Sequence, residues 1–183
     1  MNEAVRATTA VSVLAERCKA STVAEARHIA NIAASAFPRW SRTAPEERRF
    51  ILERAAERLL AHGDDFIRLI SEETGGTAAW TRLNLKLGAS ILREAAAMTS
   101  QVAGEVVPVN MSDTLSIALR QPCGVVLSMA PWNAPIVLAT RAIAWPLACG
   151  NTVVFKASEL CPRTHELIVQ VFAEAGLPEG VVG

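Results

Sequence analysis

At 183 residues, with 51% hydrophobic and 20% charged side chains, the chain is long enough to bury a core and polar enough for an ordinary solvated surface. Its 18 Lys and Arg balance 18 Asp and Glu, so no net field draws it to nucleic acid or to an anionic membrane, and the lack of any basic block or any Tyr argues further against a nucleic-acid reader. Cys18, Cys123, Cys149 and Cys161 show no C-x-x-C spacing and His28, His62 and His165 are scattered, so we expect no metal site, no disulfide framework, and reduced thiols in a cytoplasmic protein.

The opening segment has an early acid and only a brief apolar patch, unlike a secretory signal. Thr22-x-x-Glu25 is a capping box, in which hydroxyl and carboxylate satisfy the free amides of a helix start, and Ile29, Ala33, Ala36 and Phe37 follow at helical spacing. Thr43-x-x-Glu46, with Pro45 in the first turn, predicts a second box and a helix that buries Ile51, Leu52, Ala55 and Leu59 and ends left-handed at Gly63. A short helix carrying Phe66, Ile67 and Ile70 stops at Gly75-Gly76. The next is long, with Trp80, Leu83, Leu87 and Ile91 on the face expected to be buried.

Beyond Gly104 the grammar changes. Val106 to Val109, a polar turn at Asn110 to Asp113, and Leu115 to Leu119 predict a β-hairpin or protruding arm. Strand Val125–Met129, helix Ile136–Cys149, strand Thr152–Lys156 and a helix from Pro162 to about Ala175 follow, with Gly176 after its end. Strands alternating with helices of this length imply βαβ units and a parallel sheet. The uncharged run over residues 121–140 is long enough for a membrane span, but Pro122, Pro131, Pro135 and Asn133 break the helix a bilayer would demand.

In an open parallel sheet, ligands collect outside the carboxyl ends of the strands, and both polar clusters of this chain fall there. Asn133 has an amide able to donate to a developing oxyanion; the plainer alternative is a loop Asn capping the next helix. Trp132, beside Pro131, either walls a ligand site or simply packs. Lys156 and Glu159 suit the hydroxyls of a ribose, and a carboxylate that accepts both hydroxyls disfavours a 2′-phosphate; the alternative is a strand-end Lys and an acid near a helix start. Cys149 has no base within sequence reach and reads as a buried small hydrophobe. Glu72-Glu73-Thr74-Gly75-Gly76 reads as a helix terminus, and neither G-x-G-x-x-G nor a P-loop occurs.

Pro131-Trp132-Asn133, the run Pro146 to Val154, Lys156-Ala157-Ser158-Glu159 and the run Glu174 to Val182 together resemble the NAD(P)-dependent aldehyde dehydrogenase superfamily, as do Glu47-Arg48-Arg49 and Glu73-Thr74-Gly75 nearer the start. Ala130–Pro135, Arg141 to Ala144 and Leu160 to His165 look most like its salicylaldehyde and vanillin dehydrogenase branch. The resemblance implies an α/β fold made of N-terminal helices (1–103), an oligomerisation hairpin arm (104–121) and the first half of a Rossmann-like parallel sheet (122–183), with the catalytic domain absent. It implies that Asn133 is the oxyanion donor and that Ala130, Pro131, Trp132, Lys156, Ser158 and Glu159 bind the cofactor, NAD with NADP possible. The substrate would be an aromatic aldehyde, and the full-length form a homo-oligomer.

The family attacks the aldehyde with a Cys thiolate, passes hydride to the nicotinamide, and hydrolyses the thioester with a Glu-activated water. No Cys or Glu of this chain sits in a matching motif, so the chain alone is expected to be inactive, with an unpaired sheet edge and exposed apolar surface that favour poor solubility. The competing readings are a non-catalytic assembly or cofactor-binding module, and a related semialdehyde or acylating dehydrogenase.

Overall fold

The computed structural model describes residues 20–183; Cys18 and the opening segment tested above for a secretory signal lie outside the described residues. Helix α1 (Val23–Trp40) starts at the expected capping box: Thr22 Oγ1 accepts from the Glu25 amide at 3.2 Å while the Glu25 carboxylate accepts from the Thr22 amide at 2.6 Å. The second box does not form. Helix α2 (Pro45–Ala61) is preceded by Ala44 at its cap, without a side-chain bond, and Thr43 Oγ1 donates instead to the Arg39 carbonyl at 3.3 Å. Pro45 takes the first helical position and holds Ala44 extended, so Thr43 falls one residue too early to reach the first-turn amides.

Gly63 is not a left-handed terminus either. Helix α3 (Gly63–Thr74) begins there directly after His62, and the left-handed position belongs to Gly75, φ 70°, which closes α3 where a Cβ would be strained.

Helix α4 (Ala78–Met98) turns a different face inward from the one expected. Trp80, Leu83 and Leu87 are 42%, 46% and 46% exposed, while Thr81, Asn84, Leu85, Gly88, Ala89, Leu92, Ala95 and Ala96 are buried. The small residues win because they allow close approach: a Cβ on Gly88 would lie 3.0 Å from Ile136 Cγ2 and 3.1 Å from Leu59 Cδ2. The helix therefore carries two apolar stripes, and the bulkier one is left outside.

Strands β1 (Glu105–Val107) and β2 (Ser116–Ala118) pair antiparallel, Val106 opposite Ile117, and the hairpin stands away from the core with Val106, Met111, Leu115 and Leu119 largely exposed. Strand β3 (Val125–Met129), helix α5 (Pro135–Ala148) and strand β4 (Thr152–Lys156) form a parallel βαβ unit, in register from Val125 opposite Thr152 to Met129 opposite Lys156. Helix α6 (Pro162–Glu174) follows, and the chain returns to pair on the far side of β4, where the Val153 amide donates to the Val181 carbonyl at 2.8 Å.

Residues paired across a parallel ladder share a face. Ser128 Oγ donates to the Ala142 carbonyl of α5 at 2.7 Å, and Phe155 packs on α6, so their face of the sheet is covered by helices. On the other face Thr152 Oγ1 donates to the Ala33 carbonyl at 2.9 Å and docks α1, leaving Leu127 and Met129 exposed. Behind α5 and α6, α2, α3 and α4 close a continuous core in which Leu59, Phe66, Leu92, Ile136, Ile143 and Phe172 are buried. Each such side chain contributes about 1.5–3 kcal/mol of transfer free energy. Asn151 fixes the βαβ turn by accepting from the Cys123 and Gly124 amides at 2.6 and 3.1 Å. Cys149, expected in the core, is exposed, because α5 ends at Ala148 and the chain turns outward there.

Candidate cofactor and oxyanion site

The register that sets Met129 beside Lys156 brings the two polar segments to one edge, since each strand ends at that pair. After β3, Ala130 is buried, and Pro131, Trp132 and Asn133 are exposed. Ala134 takes the cap position of α5, with Pro135 at its first turn and no side-chain cap. Asn133 therefore does not cap the helix, and its amide is turned to solvent at the sheet edge.

After β4, Lys156 Nζ lies 3.1 Å from Glu159 Oε2, both side chains well exposed. The Glu159 carboxyl is held below its ordinary value, first by its own backbone N–H and then by Lys156. It stands at this edge as an anion with acceptor capacity to spare beside a cationic donor, a pairing of acceptor and donor that fits a vicinal diol. Ser158 is placed differently: it is buried, and its Oγ accepts from the Leu160 amide at 3.3 Å. Its hydroxyl braces the loop, and the structure does not turn it towards the open edge with Lys156 and Glu159.

Two residues passed over in the sequence hold this second loop. His165 is buried on α6 and accepts the Ser158 amide at Nδ1, 3.0 Å away. The signal for it was its place on the same helical face as Ile168 and Phe172, at a spacing that buries the ring. Glu73, at the end of α3, is also buried. Its carboxylate accepts from the Arg163 amide at 2.8 Å, the Thr164 amide at 3.0 Å and Thr164 Oγ1 at 2.6 Å, capping the first turn of α6 from another helix. Sequence spacing reveals nothing of a cap supplied from so far along the chain.

Cys161 Sγ lies 3.7 Å from His165 Nε2, yet the pair is not an activated thiol: burial and the nearby Glu73 push the thiol up to about 12, and burial pushes the imidazole down to about 4. Among the described residues no three His, Cys, Asp or Glu side chains come together as a metal site, and no helix is long and apolar enough to cross a membrane.

A helix-backed parallel βαβ unit with its polar loops at the carboxyl edge places the chain in the α/β class that holds ligands at that edge. The chain belongs to the aldehyde dehydrogenase family: the profile described as "Aldehyde dehydrogenase family" matches residues 5–183. It is 55% identical over 169 residues to a vanillin dehydrogenase of Pseudomonas fluorescens, covering 92% of this chain and 35% of that protein. The solved salicylaldehyde dehydrogenase of Pseudomonas putida G7, complexed with salicylaldehyde, superposes with a TM-score of 0.87 at 46% identity, over 88% of this chain and 34% of that one. An NAD-dependent benzaldehyde dehydrogenase from Corynebacterium glutamicum gives a TM-score of 0.87 at 33% identity, over 90% and 35%. The chain thus spans about a third of the length of the relatives it matches.

Proposed function

We propose that this chain supplies the adenosine-binding half of the cofactor cleft and the oxyanion donor of an NAD-dependent dehydrogenase that oxidises aromatic aldehydes to carboxylic acids. The observation that carries the reading is the Met129–Lys156 register, which sets the Asn133 loop and the Lys156–Glu159 loop side by side at one sheet edge. Glu159 accepts the two ribose hydroxyls and Lys156 donates beside it. The same carboxylate repels a 2′-phosphate, which favours NAD over NADP. Ala130, Pro131 and Trp132 line the cleft, and Ser158 contributes through the loop backbone. The bound cofactor supplies the two-electron acceptor. The Asn133 amide donates to the aldehyde oxygen as negative charge gathers there.

The aromatic substrate class is supported by the names of the relatives and by the bare stripe of Trp80, Leu83 and Leu87, which runs on α4 next to the Gly88 contact with the first turn of α5. The thiol nucleophile and the carboxylate base belong to family segments that this chain does not match, and residues 122–183 form part of a dinucleotide-binding domain packed with helices α1 to α4. The hairpin within 104–121, with its apolar side chains facing outward, serves as an oligomerisation arm in a cytoplasmic enzyme. That arm also favours a second reading, an assembly module that joins longer subunits.

Calorimetric titration of the purified chain with NAD, NADP and AMP tests the first reading. NAD and AMP should bind saturably and NADP more weakly, with no NADH formed from salicylaldehyde or vanillin. A folded chain indifferent to all three nucleotides would leave only the assembly reading.

A further inference from the structure

Glu72 and Glu73, which by sequence mark only the end of α3, both reach across the fold to the first turn of α6. Glu73 is buried and commits both carboxylate oxygens there: Oε1 accepts from the Arg163 amide at 2.8 Å, and Oε2 from the Thr164 amide and hydroxyl at 3.0 and 2.6 Å. Glu72 is exposed and pairs with the Arg163 guanidinium from outside at 2.8 Å. The turn that carries both acids is itself closed. The Gly75 and Gly76 amides donate to the Ser71 and Ile70 carbonyls at 3.1 and 3.3 Å, and Thr74 Oγ1 donates to the Ile70 carbonyl at 2.9 Å.

The loop anchored in this way is short, running from Ala157 to Cys161 between β4 and α6. Its bonds run forward. The Ser158 carbonyl accepts from the Cys161 amide at 3.3 Å, and the Ser158 amide donates to His165 Nδ1 on α6 at 3.0 Å. Glu159 lies between these bonded positions, so the place where α6 begins decides where Glu159 stands. Lys156 is held separately, by its register with Met129 in the sheet.

We infer that Glu73 is a positioning residue for nucleotide binding: by holding the first turn of α6 against α3, it sets Glu159 at the spacing from Lys156 that receives a ribose. The functional consequence rests on the ribose reading proposed above; the clamp itself does not. A carboxylate suits this place because it offers acceptors to three donors at once and meets the positive end of a helix. The exposed pair of Glu72 with Arg163 adds little beside it.

The test uses the whole chain, with AMP as the probe because it carries the adenosine ribose without the nicotinamide half. Glu73→Ala should weaken AMP binding roughly tenfold, the equivalent of one hydrogen bond to a charged group. Exchange of the Ser158 and Cys161 amides should rise roughly tenfold more than that of the Val153 and Phe155 amides of β4. Glu73→Gln keeps an oxygen for the Arg163 amide, and the Thr164 hydroxyl turns to accept from the new NH2, so the Thr164 amide alone loses its acceptor. AMP affinity should then return to within about threefold of wild type, while the Thr164 amide exchanges roughly tenfold faster. In a Glu159→Ala background, Glu73→Ala should weaken AMP binding by less than about twofold further, because its effect passes through Glu159.

Losses that multiply in the double variant overturn the positioning role, since a merely structural residue would act independently of Glu159. An AMP affinity untouched in a folded Glu73→Ala chain overturns it as well. If that variant does not fold, Glu73→Gln decides: Thr164 exchange at the wild-type rate removes the clamp, and the expected pattern upholds it. A folded wild type that binds no AMP sinks the ribose reading, and the clamp then stands or falls on Ser158 and Cys161 exchange alone.

Discussion

The two loops at the carboxyl edge of the sheet are held by opposite means. The loop after β3 is stiffened by its own covalent structure, with Pro131 before Asn133 and Pro135 at the start of α5, and no side chain caps the helix. The loop after β4 is held by side chains from elsewhere: Glu73 caps its helix, His165 takes the Ser158 amide, and Lys156 pairs with Glu159. Stiffness from proline leaves the Asn133 amide free to meet a ligand. Anchoring by distant side chains fixes a carboxylate in place and exposes the loop to changes made far away.

The contrast is broken most severely at Glu73. Glu73→Ala leaves two buried or half-buried amides and a hydroxyl without their acceptor, and should cost about 3 kcal/mol in urea unfolding. Faster amide exchange should be confined to α6 and the second loop, with the Asn133 loop unaffected.

Acid should act in the same direction. His165 has its folded value depressed to about 4 from an ordinary 6.5, so its contribution is intact above 6.5 and is lost progressively as pH falls towards 4, by roughly 3 kcal/mol in all. His165→Asn should flatten that part of the stability-against-pH curve. The surface pair of His62 with Glu174 works the other way. Glu174 and Asp65 raise the His62 value, so its contribution is whole below 6.5 and fades as pH rises through the raised value.

Smaller effects sharpen the comparison at the exposed tips. Glu159→Ala and Lys156→Ala should each weaken NAD binding roughly tenfold, in line with the loss of a charged hydrogen bond. Both should leave the thermal midpoint where it was, because exposed ion pairs stabilise little. Asn133→Ala should be the mildest of all, changing stability by less than about 0.5 kcal/mol and NAD affinity hardly at all, since a free loop amide supports nothing in the resting fold.

Local grammar was the legible part of this fold. The Thr22 capping box, the hairpin, the βαβ alternation and the Gly75 terminus all follow from residues within a few positions of one another. The misreadings came where a local signal met a neighbour: Pro45 displaced Thr43 from its cap, and close helix packing at Gly88 chose the smaller stripe of α4 over the bulky one. The braces of the second loop were not legible because they act across the fold. Glu73 and Thr164 are 91 residues apart, and only the packing of α3 against α6 brings carboxylate and amide together. The exposed tips were easier, because they follow directly from where the strands end.

The most direct test is a map of backbone amide shifts in the 15N-labelled chain as NAD is added. The account predicts saturable shifts grouped at Trp132, Asn133, Ala157, Ser158 and Glu159, with the hairpin and the outer stripe of α4 unmoved. Shifts centred on Trp80 to Leu87 or on the hairpin, or none at all in a folded chain, would contradict it.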